Sequence, residues 1–198
     1  MESTTAIARP RPAVLADLIP GERVRDVALV LGGAAFVGLL AQISFRLSFT
    51  PVPVTGQTLG VLVAGCALGF RRALAAAVVY AGLGLAGLPW FVDHTAGWQG
   101  ASMGYVAGFV LAAAVCGWLA ERGADRTVVR SLPAMLAGEL CIYVPGVLWL
   151  AVDLHVGLVT ALSLGLVPFL IGDAVKMALA AGLLPAAWWA TGTRRSRS

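Results

Sequence analysis

The sequence predicts an all-α integral membrane protein of six transmembrane helices. Three observations carry that prediction. The chain is 59% hydrophobic and 12% charged, with a mean hydropathy of +0.87, where a soluble domain carries about 25% charged residues. Its charge-free stretches approach or exceed the length of a spanning helix, about 20 residues. Its arginines fall in alternate connections between those stretches.

The stretches place helices at about 27–45, 55–70, 73–89, 102–120, 131–150 and 160–190. The first four contain no charge, the fifth only Glu139, and the sixth only Asp173 and Lys176. Twelve of the thirteen arginines lie before the first helix, after the second, after the fourth or in the tail. The other three connections hold Arg46, Asp93, His94, Asp153 and His155. By the positive-inside rule both termini are expected in the cytoplasm. Five spans would break the alternation. The basic residues form no single patch, so the net charge of +4 is no sign of nucleic acid.

The chain divides into a polar N-terminal segment, 1–26, a six-helix body, 27–190, and a basic tail, 191–198. No clean cleavage pattern follows the first apolar run, which argues against a secretory signal. Roughly the first 22 residues are polar and Pro-containing and are expected to be loosely ordered. Cys66, Cys116 and Cys141 lie inside predicted spans without metal-ligand spacing, and read as small buried hydrophobes.

Small residues mark close packing. In the first helix Ala28/Gly32 and Ala34/Gly38 are small pairs four residues apart. Such pairs admit a close neighbour, either within the bundle or on a separate membrane subunit. Gly104, Gly108 and Ala112 form a similar stripe in the fourth helix, where internal packing is expected.

Two segments are poor helix formers. Residues 48–57, Ser-Phe-Thr-Pro-Val-Pro-Val-Thr-Gly-Gln, contain Pro51 and Pro53, which remove backbone donors and favour extended chain. Such backbone cannot face lipid. It is an external loop, or it folds back and lines a cavity with Thr55, Gln57 and Thr58. Around Gly82, Gly84, Gly87, Pro89, Trp90 and Phe91, Trp90 is either an interfacial anchor or part of a lid.

The polar residues inside the spans are the candidate site. Asp173 and Lys176 are three apart and share a helix face. A charge in hydrocarbon is costly and normally faces a cavity, a partner or a substrate. Asp173 follows Pro168, Phe169 and Gly172, and the proline can interrupt the helix there and free local backbone groups. Asp173 accepts from N–H donors, and Lys176 donates to a carbonyl or carboxylate. Glu139 faces the cytosol or the bundle. Tyr143 is one turn beyond it, and Tyr80 and Tyr105 are the remaining tyrosines; each hydroxyl needs a partner. Enzyme signals are weak: no HExxH, no Cys/His cluster and no nucleotide loop ending in Gly-Lys-Ser/Thr. No metal or cofactor is expected. ATP-driven transport would need the ATPase on another subunit.

The runs Phe49–Thr58, Leu68-Gly69, Tyr80–Phe91, Gly104–Phe109, Tyr143–Trp149 and Pro168–Lys176 together resemble the BioY family, biotin-specific S components of energy-coupling-factor transporters. They run in order from about 49 to 176. The resemblance implies a six-helix S-component bundle in the bacterial cytoplasmic membrane, capturing biotin from outside. It implies partners: a transmembrane coupling protein and ABC-type ATPases. Biotin is then the transported ligand, with ATP used only by the partners. On this view Asp173, Lys176, Gln57, Tyr105, Trp90, Tyr80 and Tyr143 form the binding site, and Ala28, Gly32, Ala34 and Gly38 the docking face. The alternatives are capture of another vitamin or small molecule, or a stand-alone gradient-driven transporter.

Overall fold

The computed structural model describes residues 13–21 and 23–192. Seven α-helices run among them: α1 Arg23–Ala41, α2 Gln57–Leu68, α3 Phe70–Leu85, α4 Met103–Glu121, α5 Val128–Asp153, α6 Leu158–Gly165 and α7 Leu170–Ala190. The six predicted spans are all present, but the sixth is not one helix. Pro168 has no N–H to continue the ladder. The run breaks at a 3-10 turn, Val167–Phe169, between α6 and α7.

Four helical runs are long and apolar enough to cross a membrane: Arg23–Ala41, Gly100–Glu121, Val128–Asp153 and Leu158–Ala190. The helices α2 and α3 are shorter, at 12 and 16 residues. They meet at Gly69, whose φ of +80° turns the chain within one residue. A side chain there would also meet the Glu121 carboxylate and Val14. The outer faces remain apolar, with Val24, Leu39, Val129, Val159 and Ile171 exposed, as lipid contact requires.

The helix α4 occupies the middle, packed against α2, α3 and α5; α7 closes on α5 and α2, and α1 on α2 and α3. The expected internal stripe on α4 does this packing. A Cβ on Gly108 would sit 2.7 Å from Ile142 Cα, so only hydrogen fits between the two backbones. Cys66 and Cys116 are buried, Cys141 is partly so, and all three are free thiols.

The N-terminal boundary differs from expectation. The helix α1 begins at Arg23, not near 27, because its early charges are neutralised in place: Asp26 pairs with Arg25 at 2.8 Å and with Arg72 at 3.1 Å. Residues 14–18 are docked rather than loose. Val14 and Ala16 are buried, and Asp17 pairs with Arg72 at 2.8 Å. Burial pushes the Asp17 carboxyl up, but hydrogen bonds from Arg72 and the backbone outweigh it and hold it below its ordinary value. The rest of the polar segment (1–12 and 22) and most of the basic tail (193–198) lie outside the described residues.

At the far end of α7, Trp188 is fully buried and its indole N–H donates to Asp125 Oδ2 at 2.5 Å. Arg126 lies 3.5 Å from the same ring. Burial pushes the Asp125 carboxyl up, partly offset by the Trp188 bond and the Arg126 charge.

Candidate ligand-binding site

The Pro-containing segment folds back on the bundle. Its ends pair as a short antiparallel bridge, β1 Ser44–Phe45 with β2 Val54–Thr55, the one departure from an all-helical fold among the described residues. Thr50 pins its tip to α6 through a 2.7 Å bond to the Leu164 carbonyl. The 86–102 loop covers the neighbouring ground. Gln42, just past the end of α1, donates to the Trp90 and Phe91 carbonyls and accepts from the His94 N–H. Asp93 binds Ser44 at 2.6 Å and Arg46 at 2.7 Å, joining the loop to β1. These two partners, Ser44 first, hold the Asp93 carboxyl below its ordinary value.

A cavity lies beneath these two segments, with about 600 Å³ of free space including its opening. Val52, Pro53, Phe91, Val92, Val106, Phe109, Ile142 and Phe169 give it apolar walls. Thr55, Gln57, Thr58, Gln99, Ser102, Tyr105, Tyr143, Asp173 and Lys176 supply its polar groups. Mostly apolar walls with a few convergent polar groups are the usual make-up of a small-molecule site.

The helix break builds the polar end. By restarting the helix at Leu170, it puts Asp173 in the first turn of α7. Unpaired N–H groups and the positive end of the helix dipole favour a carboxylate there. Asp173 is 3% exposed. Its Oδ1 accepts from Lys176 Nζ at 2.9 Å and Thr58 Oγ1 at 3.4 Å, and its Oδ2 from the Tyr143 hydroxyl. Lys176 Nζ also donates to Thr58 Oγ1 at 2.9 Å. This lysine is the only one in the chain, and each of its two partners lines the cavity.

Gln57 is oriented from both sides. Its amide nitrogen donates to the Tyr80 hydroxyl at 2.5 Å, and Thr55 Oγ1 donates to its carbonyl oxygen at 3.0 Å. Tyr105 donates to the Gly165 carbonyl, the end of α6, at 2.7 Å.

Of the seven site residues expected from sequence, Asp173, Lys176, Gln57, Tyr105 and Tyr143 line the cavity. Tyr80 and Trp90 do not. Tyr80 is 1% exposed and sits behind Gln57. Trp90 turns away from the cavity, packs on Gly38 and donates to the Tyr80 carbonyl at 3.0 Å, leaving the wall to its neighbour Phe91. Phe91 and Phe169, next to Trp90 and Pro168, are lining residues the sequence reading missed, as are Gln99 and Ser102. Adjacency to a predicted break was the available signal for the two phenylalanines.

The expected docking face divides in two. Ala34 and Gly38 are buried inside the bundle, whereas Ala28 and Gly32 are exposed, with nothing within 4 Å of a Cβ built on Gly32. At 3.6 residues per turn, positions six apart face different ways, so Ala34 and Gly38 turn inward, where Trp90 packs over Gly38, while Ala28 and Gly32 do not. Glu139, left open between cytosol and bundle, faces the bundle at 4% exposure.

Comparison with known proteins agrees with this architecture. The family model described as the BioY family matches residues 10–193. The biotin transporter BioY of Rhizobium etli is 35% identical over 170 residues, covering 79% of this chain and 89% of that protein. The probable biotin transporter BioY of Pyrococcus horikoshii is 35% identical over 158 residues, covering 80% and 93%. In fold, the chain is similar to the crystal structure of the S-component for biotin from an ECF-type ABC transporter, with a TM-score of 0.74 at 24% identity over 82% of this chain and 90% of that one. A match over nearly the whole length, together with the helix break and cavity described above, makes this chain a member of the BioY family.

Proposed function

We propose that the chain captures biotin and passes it across the cytoplasmic membrane as the substrate-binding subunit of an ATP-driven energy-coupling-factor transporter. The observation that carries this reading is the Asp173–Lys176 pair at the start of α7, opening on an apolar cavity. On one edge of a cyclic urea an N–H donor and a carbonyl acceptor lie side by side. An Asp–Lys pair held 2.9 Å apart presents the complementary acceptor and donor. The ureido N–H meets Asp173, and the ureido carbonyl meets Lys176. Gln57 Oε1 takes the second N–H. The thiophane ring lies among Phe109, Ile142 and Phe169, and the valerate chain runs past Phe91 and Val92 toward Gln99 and Ser102.

No bond of the ligand breaks. Transport is capture, occlusion under the 44–55 and 86–102 segments, and release on the opposite side. The arginine distribution supports a reading with both termini in the cytoplasm and the cavity on the outer side. The driving step belongs to a coupling protein and its ABC-type ATPases, which meet the exposed Ala28/Gly32 part of α1. The relatives named as biotin transporters support the choice of ligand.

Equilibrium binding of biotin to the purified chain in lipid nanodiscs tests the reading. Saturable one-site binding, competed by unlabelled biotin, supports it. Well-folded protein that binds no biotin overturns it and turns attention to other small ring ureas and amides.

A further inference from the structure

Both carboxylate oxygens of Glu139 are buried in the middle of α5, and neither has a hydrogen-bond partner among the described residues. A buried carboxyl group left unpaired is costly, and such groups in a membrane interior are usually functional. Its surroundings say which function. Glu139, Tyr143 and Asp173 line one apolar groove between α5 and the α6–α7 run, among exposed residues such as Leu136, Leu140 and Val144. Tyr143 and Asp173 line the cavity as well. Tyr143 follows Glu139 by four residues on α5, so the two side chains are neighbours on one face.

Asp173 is already engaged on both oxygens. Oδ1 has two donors, Lys176 and Thr58, and Oδ2 has the Tyr143 hydroxyl. A ligand N–H arriving from the cavity finds Oδ2 the less crowded oxygen, and Tyr143 stands on it. The displaced phenol hydroxyl is buried and needs another acceptor. The groove that both residues line leaves open space beside them, and Glu139 there has no partner among the described residues.

We propose that Glu139 is a positioning residue for capture: it receives the Tyr143 hydroxyl when a ligand N–H takes its place on Asp173. Only hydrogen bonds change partners; no proton changes owner. The inference rests on the biotin reading above, and charged groups facing Glu139 from the packed helix α7 are Asp173 and Lys176.

The test is biotin affinity in nanodiscs for the wild type, Glu139→Leu, Glu139→Gln, Tyr143→Phe and the Tyr143→Phe/Glu139→Leu pair. Loss of the acceptor in Glu139→Leu is expected to weaken binding about tenfold, the scale of one buried hydrogen bond. Glu139→Gln keeps a carbonyl and recovers part of the loss. With Phe at 143 there is no hydroxyl to receive, so adding Glu139→Leu costs nothing further. The unliganded Tm of Glu139→Leu stays at or above wild type, because the acceptor is idle without ligand. Equal loss from Glu139→Leu in both backgrounds, or no loss in either, overturns the handover while biotin binding by the wild type stands. Failure of the wild type to bind instead overturns the biotin reading. Should Glu139→Leu misfold, the infrared difference spectrum of wild type with and without biotin decides. A carboxyl band that shifts on binding and is missing in Glu139→Gln supports the handover; its absence sinks it.

Discussion

Lys176 and Thr58 stand 118 positions apart in sequence and meet at 2.9 Å, Nζ to Oγ1, tying α7 to α2 across the cavity floor. The same ammonium holds Asp173. Two helices that share one half-buried cation cannot separate without exposing it further. That shared ammonium fixes how α2 and α7 sit against each other at the binding end of the cavity.

Asp173→Asn should lower biotin affinity about a hundredfold while the protein remains folded. The amide preserves shape, but it removes the charge that accepts from the ligand and leaves Lys176 without its counter-ion. A charge-assisted hydrogen bond is worth about 1.5–3 kcal/mol. Isothermal titration beside a thermal melt checks both halves of the statement.

Tyr80→Phe and Gln57→Leu separate support from contact. Tyr80 does not reach the cavity; it fixes the Gln57 amide at 2.5 Å. Its loss should weaken binding by about threefold, against tenfold or more for Gln57→Leu, in line with about 1 kcal/mol for a typical neutral hydrogen bond. Equal losses would mean that Tyr80 does more than orient Gln57.

Gly32→Leu and Gly38→Leu test the divided face of α1. At Gly32 the space is open, so Leu should leave Tm and biotin binding unchanged and impair co-purification with the coupling subunits. At Gly38 a Cβ would already approach Trp90 to 3.2 Å. Overpacking there should cost about 1–3 kcal/mol, lower the Tm and loosen the 86–102 loop. Normal assembly of Gly32→Leu would remove this face from the docking model.

The pH dependence of the latch between the 86–102 loop and β1 follows from Asp93. Its carboxyl is held below the ordinary value of 3.8 by Ser44 and Arg46. The folded form thus binds fewer protons than the unfolded one between the lowered value and 3.8. The stability contributed by the latch is present above about pH 3.8 and fades as pH falls through the lowered value. Hydrogen exchange of the 86–102 amides should accelerate only in that acid range, and an Asp93→Asn variant should exchange fast throughout.

Close approach at α4 and α5 predicts a sharp response to one methyl group. With 2.7 Å between a Cβ on Gly108 and Ile142 Cα, Gly108→Ala must push the helices apart. The thermal midpoint should fall markedly, while Gly172→Ala, where nothing lies within 4 Å of the added atom, should not lower it.

What the sequence determined by itself was what local chemistry dictates. Apolar runs fix the six spans because lipid tolerates no unpaired backbone. The cost of burying Asp173 and Lys176 marked the site, and Pro51 and Pro53 marked a segment that must fold back or leave the bilayer. Tertiary structure decided everything that depends on which way a side chain turns. It realised the interruption that Pro168 allowed, so that Asp173 stands in the first turn of a new helix. It set Phe91 in the wall and Trp90 behind it, although the two are adjacent, because successive residues of an extended chain point to opposite sides. It split the small residues of α1 between the interior and the open face. The four-residue spacing already put Glu139 beside Tyr143, but only the meeting of α5 with α7 brought the pair to Asp173 and left Glu139 without a partner among the described residues.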